Sequence, residues 1–180
     1  MMNLVEKYNI EELISAEEIK NKVIELGKKI TNFYKDDPDA LVLLGVLKGS
    51  IIFLADLCRE IDLPLEIEMM GVSSYGEATK SSGVVRITQD LVKPIKNKNI
   101  LIVEDIFDSG LTVKYLCENL KAREPKSIRV CTLLKKEVAN QADVNIDFVG
   151  FAIPDKFVVG YGLDLAERLR NLPMVGVYKP

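Results

Sequence analysis

Residues 99–115 read NILIVEDIFDSGLTVKY, and this stretch constrains the fold more than any other. Ile100, Leu101, Ile102 and Val103 form an unbroken apolar run, the pattern of a strand covered on both faces in the middle of a parallel sheet. Glu104 and Asp105 follow at once, and two adjacent carboxylates do not stay in a dry core without partners. They are therefore expected where the strand emerges, at its carboxyl end. Asp108, Ser109, Gly110, Leu111 and Thr112 then lead into an amphipathic run from Val113 to Leu120. Gly110 tolerates positive φ, and successive amides at a strand-to-helix turn form an anion cradle. Ser109 and Thr112 add hydroxyls, and the opening helix adds its positive dipole end. Carboxylates for a hydroxyl-bearing or metal-bound group thus lie beside amides for a phosphate, as a sugar phosphate requires. The plainer reading is an ordinary strand-turn-helix with solvated acids.

The rest of the chain alternates strands and helices. Ser15 and Glu18 form a capping box, and Ile19, Val23, Leu26, Ile30 and Phe33 carry a helix to about Tyr34. Residues 41–47 (LVLLGVL) read as a second buried strand, 51–61 as a helix, and 65–72 as a half-exposed strand. Residues 73–83 (SSYGEATKSSG) read either as a solvated hairpin loop or as a mobile lid over an anionic ligand. Strands follow at 84–89, 127–134, 144–151 and 174–177, with Arg168 and Arg170 in a short helical segment. Such alternation indicates an α/β domain with a doubly wound, mostly parallel sheet flanked by helices, binding its ligand beyond the carboxyl ends of the strands.

Composition narrows the function classes. The 180 residues are 48% hydrophobic and 28% charged, which suits a single domain spanning residues 1–180. A net charge of −3 argues against non-specific nucleic-acid binding, and no apolar run reaches membrane-spanning length. Cys58, Cys117 and Cys131 are read as buried free thiols of a cytoplasmic protein. Histidine is absent, so any general base is a carboxylate, a lysine or a tyrosine.

Four stretches, LKGS (47–50), SSYG (73–76), VEDIFDSGLT (103–112) and IPDKFVVGYGLD (153–164), resemble in order and spacing the 6-oxopurine branch of the type I phosphoribosyltransferases. The resemblance covers residues 41–173. It implies that family's fold, with a small hood formed by the chain ends, and transfer of a phosphoribosyl group from phosphoribosyl pyrophosphate to hypoxanthine or guanine. Glu104 and Asp105 would hold the ribose hydroxyls and associated Mg2+; Asp108, Ser109, Gly110, Leu111 and Thr112 would bind the 5′-phosphate, with Asp108 also the general base. Lys48 and Gly49, typically through a cis peptide after Leu47, would meet the pyrophosphate together with Ser74, Tyr75 and Arg170. Lys136 would reach the 6-oxo group, Phe157 would stack on the purine and Val158 would bond its edge. Asp164 would border the base and contact a second Mg2+. Family members are commonly homodimers or homotetramers. This chain departs from its bacterial relatives in carrying Lys135 before Lys136, and Ala139 and Asn140 where an arginine pair is usual. A catalytically inactive sensor of phosphoribosyl pyrophosphate is the alternative, and the 153–164 stretch argues against an adenine, orotate or uracil enzyme.

Overall fold

The computed structural model describes residues 3–37, 41–75, 84–138 and 141–180. In chain order the elements are α1 (Leu4–Lys7), β1 (Ile10–Ile14), α2 (Ala16–Tyr34), β2 (Leu41–Leu47), α3 (Ile51–Glu60), β3 (Glu66–Tyr75) and β4 (Val84–Gln89). They continue with β5 (Asn99–Phe107), α4 (Leu111–Lys121), β6 (Ser127–Lys136), β7 (Phe148–Ile153), β8 (Val158–Val159) and β9 (Val175–Tyr178). The main sheet runs β4-β3-β2-β5-β6-β7. All its pairings are parallel except β3 with β4. A small antiparallel sheet, β1-β9-β8, joins the two ends of the described chain into the expected hood.

Side-chain alternation along the central strands explains why both faces are covered. Leu41, Leu43, Leu101 and Val103 pack with Ile19, Val23, Leu26 and Ile30 of α2 and with Phe53, Leu54 and Leu57 of α3. Val42, Leu44, Val46, Ile100 and Ile102 face the other way, onto Val113, Leu116 and Leu120 of α4. A third cluster, Ile10, Val159, Leu169, Leu172 and Met174, is the hood's own core.

Several boundaries differ from expectation. β5 carries its acids near its carboxyl end, as expected, but runs on past them: Glu104 pairs with Thr132, Ile106 with Leu134 and Phe107 with Lys135, so the ladder to β6 carries the strand through to Phe107. β7 starts at Phe148 rather than Val144, and just before it the Asp147 carboxylate binds the side of β6 within the strand, accepting from Val130 N–H at 2.9 Å and pairing with Arg129 at 2.6 Å. The segment around Arg168 and Arg170 is not helical. Ala166, Glu167 and Leu169 all take positive φ, which no right-handed helix allows. Of the cysteines only Cys131 is buried; Cys58 and Cys117 lie at the flanks of α3 and α4 and are half-buried, and all three are free. No described helix is long and apolar enough to cross a membrane.

Candidate active site

The turn from β5 into α4 is built by Gly110, which takes φ +77° at the helix N-cap. A Cβ there would crowd Phe107 Cζ at 2.5 Å, so strain and space both favour glycine. Gly110 itself has no side chain to cap α4, the Leu111 N–H reaches Ser109 Oγ only at 3.5 Å, and the first turn carries no acid. The opening amides of the helix therefore point outward without an intrahelical acceptor. A cavity of about 200 Å³ lies against them, bordered by Glu104, Asp108, Ser109, Gly110, Thr112 and Val113. Leu111, exposed, begins the helix at the rim.

Strand alternation sends the two adjacent acids to opposite sides of β5. Glu104 lies on the α4 side, 8% exposed, with its Oε2 buried and unpartnered among the described residues. Burial, and then the neighbouring Asp105 charge, push its carboxyl well above the usual carboxylate range. Asp105 lies on the other side, against the loop after β2. A Cβ on Gly49 would overlap the Asp105 carboxylate, and one on Gly162 would overlap the Gly49 carbonyl. Burial raises the Asp105 pKa from 3.8 to about 6, although the Ile106 N–H, donating at 2.9 Å, and the Arg170 charge oppose it. The Leu47–Lys48 peptide is cis.

Beside Gly49 the hood contributes a charge network. Arg170 donates to Gly162 O at 2.8 Å and pairs with Asp164 at 2.9 Å and Glu167 at 3.3 Å. Glu167 also pairs with Lys48 at 2.8 Å, and that lysine, followed by Arg170, holds its carboxyl below the usual range. Asp164 accepts from Glu167 N–H at 2.8 Å, so it closes the local turn while facing Arg170. Positive φ at Gly160, Tyr161 and Gly162 lets this backbone fold back on itself, and Tyr161 OH anchors it to Asp56 at 2.5 Å.

The base side of the site is assembled from β6 and β8. Lys136 Nζ donates to Asp108 Oδ2 and to Asp155 Oδ1, each at 3.1 Å. Burial alone would lower the Lys136 pKa, but these two carboxylates outweigh it and hold it above 10.5. Phe157 is 55% exposed, an uncommon state for a large aromatic, and meets Tyr178 edge-on. Tyr178 N–H donates to Phe157 O at 3.1 Å, which makes Val158 and Val177 the non-hydrogen-bonded pair of the ladder. The N–H and C=O of Val158 thus turn to the free edge of β8.

The sequence-predicted residues fall into these clusters with few exceptions. Ser74 and Tyr75 end β3, opposite Val85 and Val84, as a strand rather than a loop. The remainder of the expected lid, 76–83, and Ala139 and Asn140 lie outside the described residues. Two residues were not singled out by sequence. Gln141 Nε2 donates to the carbonyls of Asp108 and Lys136, both at 2.8 Å, tying the phosphate turn to the end of β6. Asp155 is the second partner of Lys136. A carboxylate inside the IPDKF stretch was a visible signal for Asp155; nothing local marked Gln141. A larger cavity, of about 460 Å³ between α2, α3 and Pro173, contains none of the predicted site residues.

The donor set suits a hard cation in part. Among the described residues no three His, Cys, Asp or Glu side chains converge to cage a metal. Glu104 nevertheless offers a buried, unpartnered oxygen, and Asp105 a carboxylate on the other side of the strand. One or two carboxylates, with water and substrate oxygens completing the shell, is how Mg2+ is ordinarily held.

Comparison with known proteins agrees with this geometry. The chain is 54% identical over 175 residues to the hypoxanthine-guanine phosphoribosyltransferase of Bacillus subtilis, covering 97% of this chain and 96% of that one. It is 50% identical over 170 residues to the hypoxanthine phosphoribosyltransferase of Salmonella typhimurium, covering 94% and 96%. A solved hypoxanthine phosphoribosyltransferase from Staphylococcus aureus superposes with a TM-score of 0.92 at 45% identity, over 100% of this chain and 97% of that one. The phosphoribosyl transferase domain model matches residues 9–166. A domain match over most of the chain, together with near full-length identity of about half to these enzymes, shows that the chain belongs to the phosphoribosyltransferase family.

Proposed function

We infer that this protein is a purine salvage enzyme that transfers the phosphoribosyl group of phosphoribosyl pyrophosphate to nitrogen 9 of a 6-oxopurine, hypoxanthine or guanine, releasing pyrophosphate. Among the features of the site, the contact of Lys136 with Asp108 at 3.1 Å carries the reading furthest. It sets a cation suited to a 6-oxo group beside a carboxylate suited to nitrogen 7, at the mouth of a phosphate turn. Near full-length similarity to enzymes named for that activity supports it. No observation favours a binding-only regulator.

The roles follow from the chemistry. The amides of Ser109, Gly110, Leu111 and Thr112 hold the 5′-phosphate, and the α4 dipole favours its charge. Glu104 and Asp105 accept from the ribose hydroxyls, fixing the sugar so that its anomeric carbon faces Asp108. Departure of pyrophosphate leaves an oxocarbenium-like sugar. Lys48, the Gly49 amide and Arg170 stabilise the charge developing on the leaving group, with Ser74 and Tyr75 on the adjoining strand end. The purine stacks on Phe157, bonds the free edge of Val158 and donates its proton to Asp108. Glu104, Asp105 and Asp164 would hold Mg2+, directly or through water, and the ion would supply charge neutralisation of the pyrophosphate. We further propose one domain over residues 1–180, assembled as a homodimer or homotetramer, a reading supported by the exposed apolar side chains of Phe33 and Ile51.

The test is product analysis with phosphoribosyl pyrophosphate, magnesium and each purine in turn. Hypoxanthine or guanine should yield the nucleoside monophosphate and one equivalent of pyrophosphate, and excess EDTA should abolish turnover. Turnover with adenine alone, or none with any purine, would contradict the assignment.

A further inference from the structure

Lys136 is shared. Its side chain is only 12% exposed, and its ammonium lies 3.1 Å from Asp108 on one side and 3.1 Å from Asp155 on the other. An ammonium has three donors, so two carboxylates leave one for a substrate oxygen. Asp155 lies in the segment that carries the hood edge: Lys136 is in register with Ile153 at the ends of β6 and β7, Asp155 follows two residues later, and Phe157 and Val158 come next. Gln141 fixes the backbones of Asp108 and Lys136 through their carbonyls. With the backbones held, the direction of the lysine side chain is decided by the balance between the two acids.

We propose that Asp155 is a positioning residue, holding the Lys136 ammonium partly off Asp108 so that the lysine can meet the purine while Asp108 keeps a free oxygen for its proton. The proposal rests on the function inferred above. Without Asp155 the ammonium has Asp108 as its one carboxylate partner among the described residues, and it settles there. The base is then masked by its own neighbour, and the donor for the 6-oxo group is drawn away from the purine. An ordinary exposed ion pair contributes little to anything. This one differs because the cation is largely buried and divided between two acids with different tasks.

The experiment is a double-mutant cycle on the intact enzyme, Asp155→Asn and Lys136→Met singly and together, with Asp155→Glu as the conservative variant. Asp155→Asn should raise KM for hypoxanthine and lower kcat, each by about tenfold, the scale of one lost charge-assisted hydrogen bond. KM for phosphoribosyl pyrophosphate should be unchanged, and Asp155→Glu should restore most of the loss. In the Lys136→Met background, adding Asp155→Asn should change nothing further, because the group that Asp155 positions is gone. Wild-type kinetics in Asp155→Asn, or losses that multiply in the double variant, would overturn the proposal while leaving the function intact. If Lys136→Met itself left hypoxanthine KM unaltered, the assignment of Lys136 to the base would fail first, and the role of Asp155 with it.

Discussion

Helix α2 opens with Ser15, whose hydroxyl accepts from Glu18 N–H at 3.2 Å while the Glu18 carboxylate accepts from Ser15 N–H at 2.8 Å. Helix α4 opens with Gly110, which has no side chain to offer, and no acid follows in its first turn. The first helix closes its terminus with its own side chains. The second presents its donors to a cavity bordered by a buried carboxylate with an unpartnered oxygen. A self-capped terminus needs nothing more and serves stability. On the function proposed above, an open one beside an unsatisfied acid is completed by a ligand carrying both a phosphate and hydroxyls. On that reading local stability is traded for binding, and the two termini should respond oppositely to substitution.

The largest effect is expected from Asp108→Asn, which keeps the turn and removes the basic oxygen. Turnover should fall by about 10²–10⁴-fold, the usual worth of general-base assistance, with phosphoribosyl pyrophosphate affinity little changed. Single-turnover rates and binding constants measured together separate the two. Gly110→Ala comes next. Holding alanine at positive φ costs about 1–2 kcal/mol, and its Cβ would press on Phe107. The turn should shift and sugar-phosphate affinity drop by about tenfold or more, as titration calorimetry would detect.

A smaller effect concerns the acid on the other side of β5. A folded-state pKa of about 6 for Asp105, raised from 3.8, means that the ligand-free native state binds this proton more tightly than the unfolded chain does. The stability it contributes is complete below about pH 4 and is lost as pH rises through about 6. Asp105→Asn removes that loss. Its melting temperature should therefore gain on wild type as pH increases from 4 to 7, even though ligand binding suffers. A constant difference across that range would count against a buried, uncompensated carboxyl. The smallest effect is at α2: Ser15→Ala should cost about 1 kcal/mol, a shift of a few degrees in Tm, and leave turnover untouched. A variant of Ser15 that lost activity, or one of Gly110 that lost only stability, would erase the contrast.

What was legible in the sequence follows the same division. The capping box of α2, the strand at Leu41–Leu47 and the open turn at Gly110 are written in consecutive residues, so pattern alone finds them. β5 extends beyond its apolar run, past its two acids to Phe107, because its last residues are held by pairing with β6, twenty-eight positions away, which no local pattern shows. The stretch around Arg168 and Arg170 looked helical by composition. Its path is instead set by Lys48, Gly162 and Asp164, whose contacts with Glu167 and Arg170 no local pattern announces. Asp155 was visible as a residue but not as a partner, since its contact with Lys136 depends on β6 and β7 ending side by side.

The central claim is that one end of a nucleotide sits on the open amides of α4 and the other on the hood edge. A crystal structure with a 6-oxopurine nucleoside monophosphate tests it most directly. The account predicts the phosphate against the amides of Ser109, Gly110, Leu111 and Thr112, the ribose hydroxyls at Glu104 and Asp105, and the ring on Phe157 with its 6-oxo group toward Lys136. A phosphate bound elsewhere, or a base lying away from Lys136 and Val158, would contradict it.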